Sequence, residues 1–147
     1  MARRVTQSGT RKATAGRAPR ILLVDDCVDT RTSCGEFLMK AGYEVALAAD
    51  GNKALVLALS DIPDLVLMDL HMPGLDGWEA ARLMRSYWPT RPVPIIAVSG
   101  RYDDATVMRA AEAGCNRFVR KPFVPAELVR VVRSVLEEDV EKQRGLA

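Results

Sequence analysis

From residue 20 onward, short continuous apolar runs alternate with segments whose apolar residues recur at helical spacing, a pattern that a series of βα units around a parallel sheet satisfies. Five such units are read, with strands at Ile21 to Asp25, Tyr43 to Ala48, Leu65 to Asp69, Pro94 to Ser99 and Cys115 to Lys121. Between them, Cys34, Phe37, Leu38 and Ala41 form one helical stripe, and Leu55, Ala58, Leu59 and Ile62 a second. The last helix carries Leu128, Val131, Val132, Val135 and Leu136 on one face, and its stripe stops at Val140, so residues 141–147 are expected to fray.

Strand composition predicts the order of the sheet. Ile21-Leu-Leu-Val24, Leu65-Val-Leu-Met68 and Ile95-Ile-Ala-Val98 are apolar throughout, as strands covered on both faces must be. The second strand contains Glu44 and the fifth Arg120 and Lys121, which suits edges. The predicted fold is α/β, a doubly wound five-stranded parallel sheet of order 2-1-3-4-5 in a three-layer sandwich. Sheets of this kind bind ligands beyond the carboxyl ends of their strands.

Composition narrows the setting. The chain is 48% hydrophobic and 27% charged, without an apolar run long enough to span a bilayer or a secretory signal, and a cytoplasmic protein is expected. Residues 1–20 hold six basic residues and no acid, against fifteen basic and nineteen acidic residues in the rest. Residues 1–19 therefore read as a basic, disordered leader and residues 20–140 as the folded domain. Cys27, Cys34 and Cys115 have no C-x-x-C spacing and are expected to be buried as small hydrophobes. Trp78 and Trp88 read as packing residues.

The strand ends carry the chemistry. Asp25 and Asp26 close the first strand, Asp69 the third, Ser99 the fourth, and Lys121 the fifth, followed by Pro122. Carboxylates gathered at one edge repel one another, and Mg²⁺ is the cation that suits them, because it takes oxygen ligands, keeps waters and accepts a phosphate oxygen. A carboxylate can attack phosphorus, with a metal, an ammonium and a hydroxyl spreading the charge of the transition state. Asp69, Lys121 and Ser99 have those chemical capacities.

These motifs resemble the response-regulator receiver family over nearly all of Arg20 to about Glu138. The marks are Ile21-Leu-Leu-Val-Asp-Asp26, Asp64-Leu-Val-Leu-Met-Asp69-Leu-His-Met-Pro73-Gly-Leu-Asp-Gly77, Pro94-Ile-Ile-Ala-Val-Ser99 and Lys121-Pro-Phe123. The resemblance implies a flavodoxin-like (βα)5 receiver domain in a two-component phosphorelay. By it, Asp69 is the phospho-acceptor, and Asp26, Asp69 and the backbone carbonyl of His71 hold Mg²⁺, with Asp25 acting through water. Ser99 and Lys121 contact phosphoryl oxygens, and the Lys121–Pro122 peptide is cis. Phe118 falls at the position of a switch aromatic that follows Ser99, with a plain core phenylalanine as the alternative.

Two departures concern tuning: Ser99 stands where threonine is more frequent, and Gly100 where alanine is usual. His71 and Arg101, each two residues past a site residue, are expected to border the path of water to the phosphorus and so set the lifetime of the phosphorylated state. The implied partners are a sensor histidine kinase or histidine phosphotransfer protein upstream and a protein target on the face of the fourth helix, fifth strand and fifth helix. With few residues after the last helix, no DNA-binding domain is expected; nor is a membrane span, and a homodimer is left open. The domain is read as a signalling phospho-acceptor that assists its own phosphorylation and dephosphorylation, not as an enzyme. A phosphorylation-independent interaction module of the same fold is the alternative. A haloacid-dehalogenase-like hydrolase is disfavoured, because His71 occupies the position where that class needs a second aspartate.

Overall fold

A computed structural model describes residues 16–145. Most of the leader expected over residues 1–19, and residues 146 and 147 at the other end, lie outside the described residues. The elements are β1 (Arg20–Val24), α1 (Val28–Lys40), β2 (Glu44–Ala48), α2 (Gly51–Ser60), β3 (Leu65–Asp69), α3 (Gly77–Ser86), β4 (Ile95–Ser99), α4 (Asp104–Glu112), β5 (Arg117–Arg120) and α5 (Pro125–Gln143).

All strands pair in parallel in the predicted order β2-β1-β3-β4-β5. Every residue of β3 and β4 is buried, whereas β2 and β5 at the edges are partly exposed. Because successive side chains of a strand point to opposite faces, each central strand feeds two cores. Ile21, Leu23, Leu65, Leu67 and Ile96 pack with Leu38 of α1 and Val132 of α5. Leu22, Val24, Val66, Met68 and Ile95 pack on the other face with small residues of α2, Trp78 and Met84 of α3, and Ala110 of α4.

Helices α2, α3 and α4 begin where a side chain satisfies a free N–H group of the first turn. Asp50, Asp76 and Asp103 accept from Lys53, Glu79 and Thr106 N–H at 2.8, 2.9 and 2.8 Å. Beneath α3 and α4, the half-buried guanidinium of Arg85 bonds the carbonyls of Val93 and Gly114 at 2.6 and 2.7 Å and the side chain of Asn116 at 2.9 Å. Asn116 also accepts from Ile95 N–H at 2.8 Å, so β5 starts at Arg117 rather than at Cys115 as read from the sequence.

Several expectations are corrected. The face of α2 that turns inward is centred on Ala54 and Ala58, while Leu59 is exposed. In α1, Cys34 and Leu38 are buried but Phe37 faces solvent. Cys34 is buried as expected, but Cys115 is only half-buried, and Cys27 is exposed because it stands outside the core at the start of α1. Trp78 packs in the core, whereas Trp88, in the turn after α3, is exposed. Helix α5 continues past Val140 to Gln143.

Candidate functional site

The three acidic strand ends meet. A carboxylate oxygen from each of Asp25, Asp26 and Asp69 lies within 4.8 Å of the others. Asp25 and Asp69 are buried and Asp26 is exposed, so the cluster opens to solvent on one side. Backbone groups steady two of them: Cys27 N–H donates to Asp25 Oδ1 at 2.9 Å, and His71 N–H to Asp69 Oδ1 at 3.3 Å. Arg31, which the sequence did not single out, donates to the Asp25 backbone carbonyl at 2.7 Å from the first turns of α1.

Lys121 reaches in from the far edge of the sheet. Its Nζ lies 3.3 Å from Asp25 Oδ2 and 3.7 Å from Asp69 Oδ1. The Lys121–Pro122 peptide is cis, as the resemblance implied. Burial lowers the lysine's affinity for its proton, but Asp69 and Asp25 more than offset that, and the net shift is upward, so the ammonium stays charged.

Asp69 is strongly perturbed by its burial. Loss of solvation raises its pKa from 3.8 to about 6, with Asp25 and Asp26 adding to the rise and Lys121 and the His71 N–H opposing it. One ammonium is therefore too little positive charge for three carboxylates, and a cation added to the cluster would relieve it. The donors are all oxygen, with neither thiolate nor imidazole nitrogen among the three. That set fits Mg²⁺, which is satisfied by one or two carboxylates plus water and substrate oxygens.

Ser99 closes the site from β4. Its fully buried Oγ accepts from Arg101 N–H at 3.0 Å and lies 3.0 Å from His71 Nε2. The His71 side chain is thus tied to Ser99 although the residue, like Arg101, is exposed to solvent. Phe118, half-buried on β5, packs against the core face of α2 to α4, with its ring 5.6 Å from that of Tyr102.

The corner that carries Asp69 into α3 depends on close backbone approach. Gly74 sits at φ 75°, and Gly77 opens α3 so near the end of β3 that a Cβ there would stand 2.2 Å from the Asp69 carbonyl oxygen.

Residues 21–133 match the family model of the response regulator receiver domain. The chain belongs to that family. Among relatives of this receiver domain, the transcriptional regulatory protein PrrA of Mycobacterium tuberculosis is 38% identical over 119 residues, which is 81% of this chain and 50% of PrrA. The DNA-binding response regulator MtrA of Mycolicibacterium smegmatis is 36% identical over 120 residues, 82% of this chain and 51% of MtrA. A solved receiver domain of a Pseudomonas aeruginosa sensor histidine kinase, with magnesium coordinated in its active-site cleft, is 36% identical. It superposes with a TM-score of 0.77, covering 82% of this chain and 98% of that domain.

The chain spans about half the length of PrrA and MtrA. This corrects the expectation that no DNA-binding domain accompanies a receiver of this kind, since MtrA is a DNA-binding response regulator with as much chain again outside the match. The physical reason is that the receiver fold is closed on itself: all five strands are paired and both faces covered, so a further domain leaves no mark in the receiver's own sequence. Among the described residues no helix is long and apolar enough to cross a membrane.

Proposed function

We propose that this receiver domain accepts a phosphoryl group on Asp69 from a phosphohistidine, in the cytoplasm, and passes the signal on by altering protein contacts. The observation that carries the reading is the convergence of three carboxylates, of which Asp69 is buried and raised in pKa, with the Lys121 ammonium against two of them and the Ser99 hydroxyl bonded to His71, two residues past Asp69. A carboxylate oxygen of Asp69 forms a bond to phosphorus as the phosphorus–nitrogen bond of the donor breaks, and the donor imidazole departs with those electrons. Lys121 is placed to meet a phosphoryl oxygen, and Ser99 to give its hydroxyl proton to another. Asp26, Asp69 and the His71 carbonyl would hold Mg²⁺, with Asp25 acting through water. When bound, the ion supplies positive charge to the phosphoryl oxygens.

A sensor histidine kinase or histidine phosphotransfer protein is the donor class. Output runs through the face of α4, β5 and α5, where Tyr102 and Met108 are exposed and the Arg120 guanidinium lies 5.3 Å from the Tyr102 ring centroid. Phe118 is placed behind that face to follow Ser99. By analogy with MtrA, the output that this face controls is DNA-binding. The receiver domain runs from β1 at Arg20 to the end of α5 at Gln143, and the basic residues before it form a leader.

Incubation with acetyl phosphate and Mg²⁺ should add about 80 Da, one phosphoryl group, to the intact mass, and Asp69→Ala or EDTA should abolish the gain. If neither acetyl phosphate nor phosphorylated kinases give an adduct, the fold serves as a phosphorylation-independent interaction module instead. Once the adduct is in hand, His71→Ala with Arg101→Ala should shorten its half-life, because both residues border the approach to phosphorus. A longer half-life would mark them as ordering the attacking water, and no change removes them from that step.

A further inference from the structure

One line of contacts runs from Ser99 to the outer surface of α4 without passing through Phe118. Ser99 Oγ accepts from Arg101 N–H and lies 3.0 Å from His71 Nε2. A serine hydroxyl has a single proton to give. With Nε2 unprotonated, Ser99 gives that proton to His71, and a phosphoryl oxygen on Asp69 can receive it only once this bond opens. His71 is itself held from behind. Its ring meets Trp78 edge to face, with centroids 5.0 Å apart and an interplanar angle of 89°.

Trp78 is buried, and its indole N–H finds no hydrogen-bond partner among the described residues, so ring contacts rather than a directed bond set its orientation. One of those contacts comes from α4: the Arg109 guanidinium lies 3.9 Å from the centroid of the indole ring. Arg109 is solvent-exposed, so a partner on α4 can reach it.

We propose that His71 is a positioning residue that latches the Ser99 hydroxyl away from Asp69 in the unphosphorylated domain, and that Trp78 and Arg109 hold the latch shut. The consequence is a second coupling between α4 and the phosphorylation site. A partner that draws Arg109 off Trp78 loosens His71 and eases the movement of Ser99, and phosphorylation, by linkage, frees Arg109 for that partner. The inference rests on the phospho-acceptor reading of Asp69.

His71 is the single histidine of the chain, so its ring nitrogens give one unambiguous set of signals in ¹⁵N-edited NMR. Spectra are compared at one fixed pH with Mg²⁺ alone and with Mg²⁺ plus beryllofluoride, a phosphoryl mimic whose binding is read separately by ¹⁹F NMR. The expected result is that the His71 signal shifts when the mimic binds, and that Ser99→Ala shows the shifted position without it. His71→Phe, which keeps a ring against Trp78, should bind beryllofluoride about twofold to tenfold more tightly, the range for one lost hydrogen bond. Arg109→Gln, a surface change, should move the His71 signal part of the way and raise affinity by less.

Bound beryllofluoride with an unmoved His71 signal, or a Ser99→Ala spectrum that matches the native one, overturns the latch and leaves the phospho-acceptor reading standing. Unaltered affinity in His71→Phe does the same. No bound ¹⁹F signal and no acetyl phosphate adduct overturns both.

Discussion

Gly77→Ala destabilises this domain by at least about 3 kcal/mol, a large share of the roughly 5–15 kcal/mol that holds a domain of this size together. In an ordinary helix the same change is favourable by up to about 1 kcal/mol, since alanine loses less backbone freedom. Here the added Cβ would stand 2.2 Å from the carbonyl oxygen of Asp69 and 2.7 Å from Cα of Leu70. Both are backbone atoms of a fully buried corner and cannot rotate away as a side chain could. The Gly77 N–H also donates to the Leu70 carbonyl at 3.0 Å, so helix and strand cannot part without losing that bond. Urea unfolding gives the test, with Gly100→Ala as the control. A Cβ at Gly100 meets nothing within 4 Å, and that change should be neutral or stabilise by up to about 1 kcal/mol. Equal midpoints for the two variants would mean that the corner yields and that α3 is not fixed to the site by this contact.

The sheet was legible because each of its signals is local. An apolar run of four or five residues that ends on a carboxylate states both its burial and the side on which the chemistry lies, and β1 and β3 follow that pattern. Edge strands declared themselves through Glu44 and Arg120, whose charges a covered strand could not carry. Helix faces were less legible where nearly every residue is apolar. The segment Ala54-Leu-Val-Leu-Ala-Leu59 offers more than one stripe, and periodicity favoured the large side chains. Of the expected stripe, Ala58 is buried and Leu55 and Ile62 pack half-buried against the core, but the sheet takes Ala54 beside Ala58, which lets α2 approach closely, and leaves Val56 and Leu59 outside.

Of the site, the positions of Asp25, Asp26, Asp69, Ser99 and Lys121 could be read from where strands end. The surroundings of His71 could not. Its bond to Ser99 spans 28 positions, and the Arg109 contact that backs Trp78 joins two helices through a ring face. Neither leaves a period or a spacing in the sequence. Cys27 was misjudged for a related reason: cysteine is usually buried, but this one begins a helix whose first turn faces solvent.

Asp69→Asn should make the metal-free domain more stable at pH 7.5 by about 1–3 kcal/mol, and the gain should vanish below about pH 4. The native carboxyl has its pKa raised from 3.8 to about 6. Below 3.8 it is protonated in both the folded and the unfolded chain and contributes no difference. Between 3.8 and about 6 the folded state keeps a proton that the unfolded state has released, so stability falls as pH rises. Above that window the penalty is complete, and its ceiling is about 3 kcal/mol at 1.36 kcal/mol per unit, with water at the open side of the cluster reducing it. Asparagine keeps the shape and removes the charge, while Lys121 retains Asp25 at 3.3 Å as its partner. Mg²⁺ should then act in opposite measure on the two proteins. Bound at the native cluster, it should raise the melting temperature by mass action, and it should do so far less in the variant, where one of the three carboxylates is replaced. Thermal melts of both proteins from pH 4 to pH 8, with and without Mg²⁺, decide it. A variant no more stable than the native chain at pH 7.5 would mean that Lys121 already neutralises Asp69 and that the cluster has no need of a metal.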